Sequence, residues 1–325
     1  MSVAESQPAA PQPKPRWYHL TPDRLILALL ALVCLLWLSE RLGWLPWHKG
    51  WTVLAAVASV GVALLFFFLW LVAALVFRLR FQFSIRSLLV LTVAVAIPCS
   101  WLAMEIKKAK EQKATVEGMA VGYDWETDAY GSLLPNAQPP EPQLLRELLG
   151  NDFFDQVAAA SIRDDAQMER VKGLSRLCNV MGETQVTDAG LKHLEGLSQL
   201  RVLNLVNSKI TDGGLQHLER LSQLKWLHLS GPAITAVGLQ HLEGLCRLEE
   251  LGIHDTKVTN EWLRHLERLH QLRSVYLNRT AITDAGLRHL ERLPQLQELW
   301  LNGTNVTDEG VKELQQALPN CKIER

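Results

Sequence analysis

The sequence has few cysteines and almost no net charge. Of the 5 cysteines, Cys34 and Cys99 lie in apolar segments, and no CxxC pair or Cys/His cluster occurs. This excludes a disulfide framework, and it leaves the redox compartment open. The formal net charge of -1 provides no field that would attract nucleic acid. Nucleic acid is therefore not an expected partner.

The sequence also lacks the motifs that carry catalysis. No GxSxG, HExxH, GxxxxGK[ST] or strand-associated GxGxxG pattern is present. Carboxylates such as Asp164 and Asp165 have no distinctive partner, so they are interpreted as solvated acids. We predict that the protein is not an enzyme, and we expect no catalytic residue, no cofactor and no metal site.

Apolar residues make up 48% of the sequence, and their excess lies before residue 105. Residues 1–22 form a Pro-rich tail that is predicted to be disordered. The region 23–104 contains three apolar runs, which predict transmembrane helices at about 25–45, 52–77 and 87–104. The second run exceeds the roughly 20 residues that cross a bilayer. The first is short and has a secretory signal core as its alternative, and Pro98 interrupts the third.

These runs predict a multi-pass membrane protein that contacts the lipid bilayer through its N-terminal helices. Lysines and arginines divide equally between the two sides of the membrane. The tight basic connection with Arg78, Arg80 and Arg86 favours a cytoplasmic N-terminus, which places the C-terminal part on the extracytoplasmic side. Residues 105–154 are interpreted as a membrane-proximal linker or subdomain.

From Val186 the sequence repeats every 24 residues. Five full units follow each other without insertion, and a shorter sixth unit ends the sequence. Within a unit, apolar residues first recur every three positions, as on one stripe of a helix, and then alternate, as in Leu203-Asn204-Leu205. A threonine such as Thr187 precedes the helical stretch and is placed to cap it. Each unit is therefore predicted to be one helix and one short strand.

A single unit cannot bury its leucine stripe, but stacked units form a continuous core. The predicted fold is an α/β solenoid over residues 186–325, with parallel strands on its concave side and short helices on its convex side. Residues 155–185 are interpreted as a degenerate repeat that caps the open end of this core.

The repeat resembles the leucine-rich-repeat family, as in Leu224-x-x-Leu227-x-Leu229 and in the recurrent TDxGL opening. Ser, Pro or Thr replaces the usual Asn after the strand. The segments FSIRSLLVLTVAVA, KKAKEQKATVEGM and YDWE precede the repeats, and together with them they are similar to certain bacterial membrane-anchored leucine-rich-repeat proteins. The resemblance covers about residues 81–325. It implies a membrane anchor and a binding role, with no catalytic residues.

Large aromatic side chains lie at alternate strand positions on the predicted concave face. Tryptophan and tyrosine on an exposed sheet are the residue types enriched in binding hot spots. The alternative is that aromatic residues merely suit a strand surface. The predicted binding residues are Trp226, His228, His254, Tyr276, Asn278, Trp300 and Asn302.

Five histidines recur at one position of the repeat, on the outer part of each predicted helix. They are His193, His217, His241, His265 and His289. Packed helices lie roughly 8–10 Å apart, whereas zinc needs its nitrogen ligands at about 2 Å from one point. We therefore interpret these histidines as solvated surface residues.

The sequence as a whole predicts a non-enzymatic, membrane-anchored leucine-rich-repeat protein that binds a protein or peptide through its concave face. The alternative is a structural envelope protein whose repeats contact other copies or wall material.

Overall fold

The structure is a computed structural model, and it describes residues 85–123, 146–147 and 149–325, with scattered helical residues between 54 and 68. The predicted tail, the predicted helix at 25–45 and most of the predicted helix at 52–77 lie outside the described residues. The chain divides into two compact units, residues 1–107 and 108–325.

The first long element is the helix α1 (Ile85–Val116), which contains the predicted span at 87–104 and Pro98. The helix continues past residue 104 because Lys, Glu, Gln and Ala, which form helices readily, fill the following stretch. Across the described part of the chain, no helix combines the length and the apolar character that a membrane crossing requires. The membrane anchor stays a prediction from the sequence.

The second unit begins with elements that precede the regular repeats. They are β1 (Ala120–Tyr123), α2 (Asn151–Phe154), β2 (Val157–Asp164), α3 (Asp165–Val171) and β3 (Asn179–Gln185). The antiparallel strand β1 covers the outer edge of β2, and β3 pairs with β2 in parallel. A buried ion pair between Arg146 and Asp155 stabilises this end, and Gln112 of α1 donates to the Asp155 carbonyl at 2.9 Å.

The regular repeats alternate short helices and strands. The strands are β4 (Val202–Leu205), β5 (Trp226–Ser230), β6 (Glu250–His254), β7 (Ser274–Tyr276), β8 (Glu298–Trp300) and β9 (Lys322–Glu324). The helices are α4 (Asp188–Leu191), α5 (Asp212–Leu215), α6 (Ala236–Leu239), α7 (Asn260–Leu263), α8 (Asp284–Leu290) and α9 (Asp308–Ala317). Short 3-10 helices extend the first four of these, at Lys192–Leu194, Gln216–Leu218, Gln240–Leu242 and Arg264–Arg268.

The strands form one sheet of nine, in chain order from β1 to β9. From β2 onward every pairing is parallel, and the register sets Leu203 beside Leu227 and Leu227 beside Leu251. These three leucines are fully buried between the sheet and the helices, as are Leu194 and Leu218 on the helix side. This arrangement confirms the predicted α/β repeat solenoid.

A residue with left-handed backbone follows each strand from β4 to β8 at the 24-residue period. The five residues are Asn207, Gly231, Asp255, Arg279 and Gly303. Glycine, Asn and Asp tolerate this backbone, whereas arginine does not favour it. Arg279, at a φ of 55°, is therefore the strained member of the series.

The capping threonines connect neighbouring repeats as well as starting helices. The Thr211 hydroxyl accepts from the Gly213 N–H at 3.2 Å, which caps α5. The same threonine donates to Asp188 of the preceding repeat, from its N–H at 2.8 Å and from its hydroxyl at 2.5 Å. This pattern recurs in the pairs Asp165–Thr187, Asp212–Thr235 and Asp284–Thr307. We call these contacts the Asp–Thr ladder.

A glycine makes room for each carboxylate of the Asp–Thr ladder. A Cβ atom added at Gly214 would lie within 3.0 Å of the Asp188 carboxylate, so that a side chain there would displace it. Between two neighbouring repeats both parts of this pairing change. Ala236 replaces the aspartate, and Trp262 replaces the glycine of the next repeat and is 1% exposed. The indole is accommodated because no carboxylate is present at residue 236.

Candidate binding surface

The strand face is the side of the sheet whose residues point away from the helices. Along β4 to β8 the residues that face the helices are buried, while the alternate residues are mostly half-buried. The register aligns these alternate residues in three rows: Val202, Trp226, Glu250, Ser274, Glu298, Lys322; Asn204, His228, Gly252, Tyr276, Trp300, Glu324; and Val206, Ser230, His254, Asn278, Asn302.

Four rings meet on this face and form what we call the ring cluster: His228, His254, Tyr276 and Trp300. The His228 ring centroid lies 5.8 Å from that of His254 and 5.5 Å from that of Tyr276. The Tyr276 and Trp300 rings are stacked, with centroids 6.0 Å apart and an angle of 19° between their planes. Such spacings are those of favourable ring pairs.

Gly252 allows the two histidines to meet. It lies on β6 between His228 of β5 and Tyr276 of β7 in the register. A Cβ atom at Gly252 would lie 2.7 Å from the His228 ring and 2.9 Å from the His254 ring. The absence of a side chain therefore lets the rings close over the β6 backbone.

Polar contacts fix the orientation of the rings. The His228 Nε2 atom lies 2.7 Å from the Glu250 carboxylate, and the Tyr276 hydroxyl donates to Glu298 at 3.5 Å. The Asn278 amide nitrogen lies 3.4 Å from the His254 Nδ1 atom. Each of these three polar groups belongs to the repeat that follows the ring it contacts, so the cluster is shared by several repeats.

Burial changes the acid–base behaviour of two rings. Burial lowers the pKa of His254, and the neighbouring His228 lowers it further, while Asp255 acts in the opposite direction. Burial also raises the pKa of the Tyr276 hydroxyl, with further contributions from Glu250 and Glu298. Both pKa shifts favour the neutral form of the ring, which suits a surface that contacts apolar or ring-shaped groups.

Trp300 lies at the end of the cluster and contacts a cation. The Lys322 Nζ atom lies 5.3 Å from the Trp300 ring centroid, within cation–π distance, and it also forms an ion pair with Glu324 at 3.0 Å. The Trp300 Nε1 atom is buried and has no hydrogen-bond partner among the described residues.

The structure brings together most of the residues that the sequence singled out. His228, His254 and Tyr276 contact one another and Trp300 stacks on Tyr276. Asn278 joins them through His254. The Asn302 N–H donates to the Asn278 side chain at 3.0 Å. Trp226 lies in the neighbouring row, beside Glu250 in the register.

Three contributors to this surface were not predicted. Glu250 and Glu298 lie in the rows that strand alternation defines, but alternation does not indicate that they contact the rings. Lys322 belongs to the shortened last unit, where the repeat pattern is weakest. The sequence does place Glu250, Glu298 and Lys322 at multiples of 24 residues from one another, in the row next to that of His228, Tyr276 and Trp300.

On the helix side, the repeated histidines contact glutamates of the preceding repeat. The Nδ1 atoms of His217, His241, His265 and His289 lie 2.5–3.0 Å from Glu195, Glu219, Glu243 and Glu267. The pKa of Glu195 is lowered by its hydrogen bond with His217, and the pKa of Glu267 by those with His289 and Arg292. Within the described ranges, no group of three His, Cys, Asp or Glu residues is arranged to hold a metal ion.

Comparison with solved structures finds bacterial repeat proteins. An internalin from Listeria monocytogenes is 21% identical, with a TM-score of 0.44 over 57% of this chain and 51% of its own. Internalin C2 from the same organism is 25% identical, with a TM-score of 0.37 over 45% and 61%. A leucine-rich-repeat protein from Leptospira interrogans is 19% identical, with a TM-score of 0.33 over 48% and 51%.

The chain covers less than two thirds of each of these three structures. No family model and no curated protein matches it.

Proposed function

We propose that this chain is a membrane-anchored, non-enzymatic binding protein whose strand face holds a protein or peptide. The observation that carries the proposal is the ring cluster. Four half-buried rings form a continuous patch on a sheet whose other side is already filled by the repeat core. Rigid aromatic patches of this kind provide binding energy with little loss of side-chain freedom.

The arrangement of the patch also supports a binding role over a purely structural one. Gly252 has no side chain in the middle of a strand, which weakens the strand. Its small size lets the rings close into one surface. The solenoid core does not require a glycine at this position, because its leucines are buried on the other side of the sheet.

The anchor in this proposal rests on the apolar runs at 25–45, 52–77 and 87–104. It is tested by separating membranes from cells that produce the chain and washing them at alkaline pH. A chain with a transmembrane anchor stays in the membrane pellet, whereas recovery in the wash would remove this part of the proposal.

Binding is tested by selecting displayed random peptides on the purified, immobilised full chain. The wild-type chain should retain a distinct set of peptides, and the double substitution Tyr276→Ala and Trp300→Ala should lose them. Val237→Ala is the matched control, because Val237 is 67% exposed on the helix side. Equal retention by the ring-cluster variant and the control would contradict the proposal.

A further inference from the structure

A series of hydrogen-bonding groups runs through the two histidines of the ring cluster. It begins at Glu250 on β6, whose carboxylate lies 2.7 Å from the His228 Nε2 atom. A carboxylate accepts, so this contact places a proton on the Nε2 atom of His228. In the neutral ring the Nδ1 atom is then an acceptor.

The second imidazole is fixed from the opposite end of the series. The Asn302 N–H donates to the Asn278 Oδ1 atom at 3.0 Å. A backbone N–H can only donate, so the Asn278 amide presents its NH2 group to His254, where its nitrogen lies 3.4 Å from the Nδ1 atom. This Nδ1 atom therefore accepts, and a neutral His254 carries its proton on Nε2.

The two remaining ring nitrogens both border the space above Gly252. A Cβ atom at this glycine would lie 2.7 Å from His228 Nδ1 and 2.9 Å from His254 Nε2. The first of these atoms is an acceptor and the second carries a proton. The two rings are therefore complementary when both imidazoles are neutral.

A further proton has no place in this network. On His228 Nδ1 it would turn a donor toward the N–H of His254. On His254 Nδ1 it would turn a donor toward the NH2 group of Asn278. Either proton also places a positive charge beside the other ring, whose centroid is 5.8 Å away. Opposed donors lose their hydrogen bond and repel each other, so the closed pair of rings is disfavoured once it is protonated.

The charged groups around the pair do not remove this conflict. They are Glu250, Asp255, Arg279, Glu298 and Lys322. Glu250 already contacts the other nitrogen of His228, and Asp255 is paired with Arg279 at 2.7 Å. Glu298 contacts the Tyr276 hydroxyl, and Lys322 lies over the ring of Trp300.

The direction of the pH dependence follows from His254. Burial lowers the pKa of this ring below its usual 6.5, and the neighbouring His228 lowers it further. The closed pair is therefore fully stable above pH 6.5. Its stability is lost as the pH falls from 6.5 through the lowered pKa, because a ring turned into solvent takes up a proton that the closed cluster excludes.

From this network we propose that the His228–His254 pair is a pH-sensitive switch in the binding surface. Acidification protonates the pair, separates the two rings and releases the segment that is bound on the strand face. Tyr276 contacts both rings and loses this support at the same time, so the change reaches the aromatic part of the surface. The inference rests on the proposed function, and it adds the regulation of the same surface.

Binding is tested with one peptide from the selection described above, blocked at both ends and free of histidine, aspartate and glutamate. Its Kd for the full wild-type chain should be about tenfold or more weaker at about pH 5 than at about pH 7.5. In the double variant His228→Gln and His254→Asn, the same ratio should be less than about twofold. These amides retain a donor for Glu250 and an acceptor for Asn278, but they do not titrate.

The matched control is His193→Gln with His270→Asn, which removes two histidines outside the strand face. His193 lies in the 3-10 helix Lys192–Leu194, and His270 is exposed in the loop before β7. This control should keep the ratio of the wild-type chain. Circular dichroism at both pH values checks that the fold of each variant is intact.

A second measurement needs no peptide. Hydrogen–deuterium exchange at the C2 atom of each histidine, followed by mass spectrometry of the full chain, reports the protonation of individual rings. His254 should titrate with a midpoint below 6.5, and the substitution His228→Gln should raise this midpoint because His228 lowers it.

The outcomes separate the switch from the function on which it rests. Peptide binding that is independent of pH, or a wild-type ratio that persists in the double variant, would overturn the switch and leave the proposed function standing. A His254 midpoint at or above 6.5, or one that His228→Gln leaves unchanged, would do the same. A wild-type chain that retains no peptide at either pH would overturn both.

Discussion

Ala236 and Trp262 should be energetically coupled, because together they replace the aspartate–glycine pair of the other repeats. We predict that Ala236→Asp destabilises the natural chain. In a chain that already carries Trp262→Gly, the same substitution should be stabilising. The effect of Ala236→Asp on stability changes sign because the indole of Trp262 fills the space that the carboxylate needs in the natural chain, whereas Trp262→Gly leaves that space free.

The expected magnitudes follow from burial and hydrogen bonding. Trp262 is 1% exposed, and removing such a side chain costs about 3–5 kcal/mol, with roughly 0.5–1 kcal/mol more for glycine. Ala236→Asp forces a carboxylate against the indole, at a cost of about 1–3 kcal/mol. Without the indole, the carboxylate accepts two hydrogen bonds from Thr259, a gain of about 2 kcal/mol. The coupling energy is therefore about 3–5 kcal/mol.

The assay is denaturant unfolding of the four chains in mild detergent, followed by circular dichroism. Val237→Asp is the control, since it adds the same charge at the next residue, which is exposed, and it should have equal effects in both backgrounds. Equal destabilisation by Ala236→Asp in both backgrounds would refute the proposed pairing of residues 236 and 262.

Three further predictions concern strain, thiol reactivity and pH. Arg279→Gly should be more stable than Arg279→Ala by roughly 1 kcal/mol in denaturant unfolding, because only glycine relieves the φ of 55°; equal midpoints would contradict this. Cys246 is exposed, whereas Cys321 is 4% exposed with a pKa raised by burial to about 11, so a maleimide should modify Cys246 at least about 100-fold faster; comparable rates would show that Cys321 is accessible. Hydrogen bonds with His289 and Arg292 lower the pKa of the Glu267 carboxyl below its usual 4.5, and hydrogen bonds with Thr307 lower that of Asp284 below its usual 3.8. The stability that these carboxylates contribute should therefore be fully present above pH 4.5 and 3.8, respectively. It should be lost as the pH falls through the lowered pKa of each group in the folded chain. The unfolding midpoint of Glu267→Gln should therefore fall less steeply on acidification than that of the wild type. Equal slopes would be inconsistent with this contribution.

The repeat architecture could be predicted from the sequence because its cause is local and periodic. Leu203, Leu227 and Leu251 are each placed by the spacing within their own unit, and stacking then aligns them. The threonine caps were predictable for the same reason, and Thr187 and Thr211 make them.

The Asp–Thr ladder was not predicted, because its partners lie in different units. The sequence predicts the Thr187 cap within one unit, whereas the structure adds two hydrogen bonds from Thr211 to Asp188 of the preceding unit. The replacement of the aspartate–glycine pair by Ala236 and Trp262 can likewise be explained only when the two repeats are packed together. Contacts between repeats can be predicted only when the pairing of neighbouring repeats is known, and the periodicity of the sequence alone does not supply it.

Strand alternation identified the residues of the ring cluster, but it did not indicate that they meet. Their contact depends on Gly252, which appears in the sequence only as an interruption of an aromatic row. The helix α1 also continues beyond residue 104, because helix-forming charged residues follow the apolar run.

Binding of a partner on the strand face can be tested by placing a photoreactive benzoylphenylalanine at Asn302, which is exposed beside the ring cluster, and separately at Val237 on the helix side. The chains are then irradiated in intact cells. We expect a cross-linked product with another protein from Asn302 and none from Val237. Equal products from both positions, or a product composed of two copies of this chain, would contradict it.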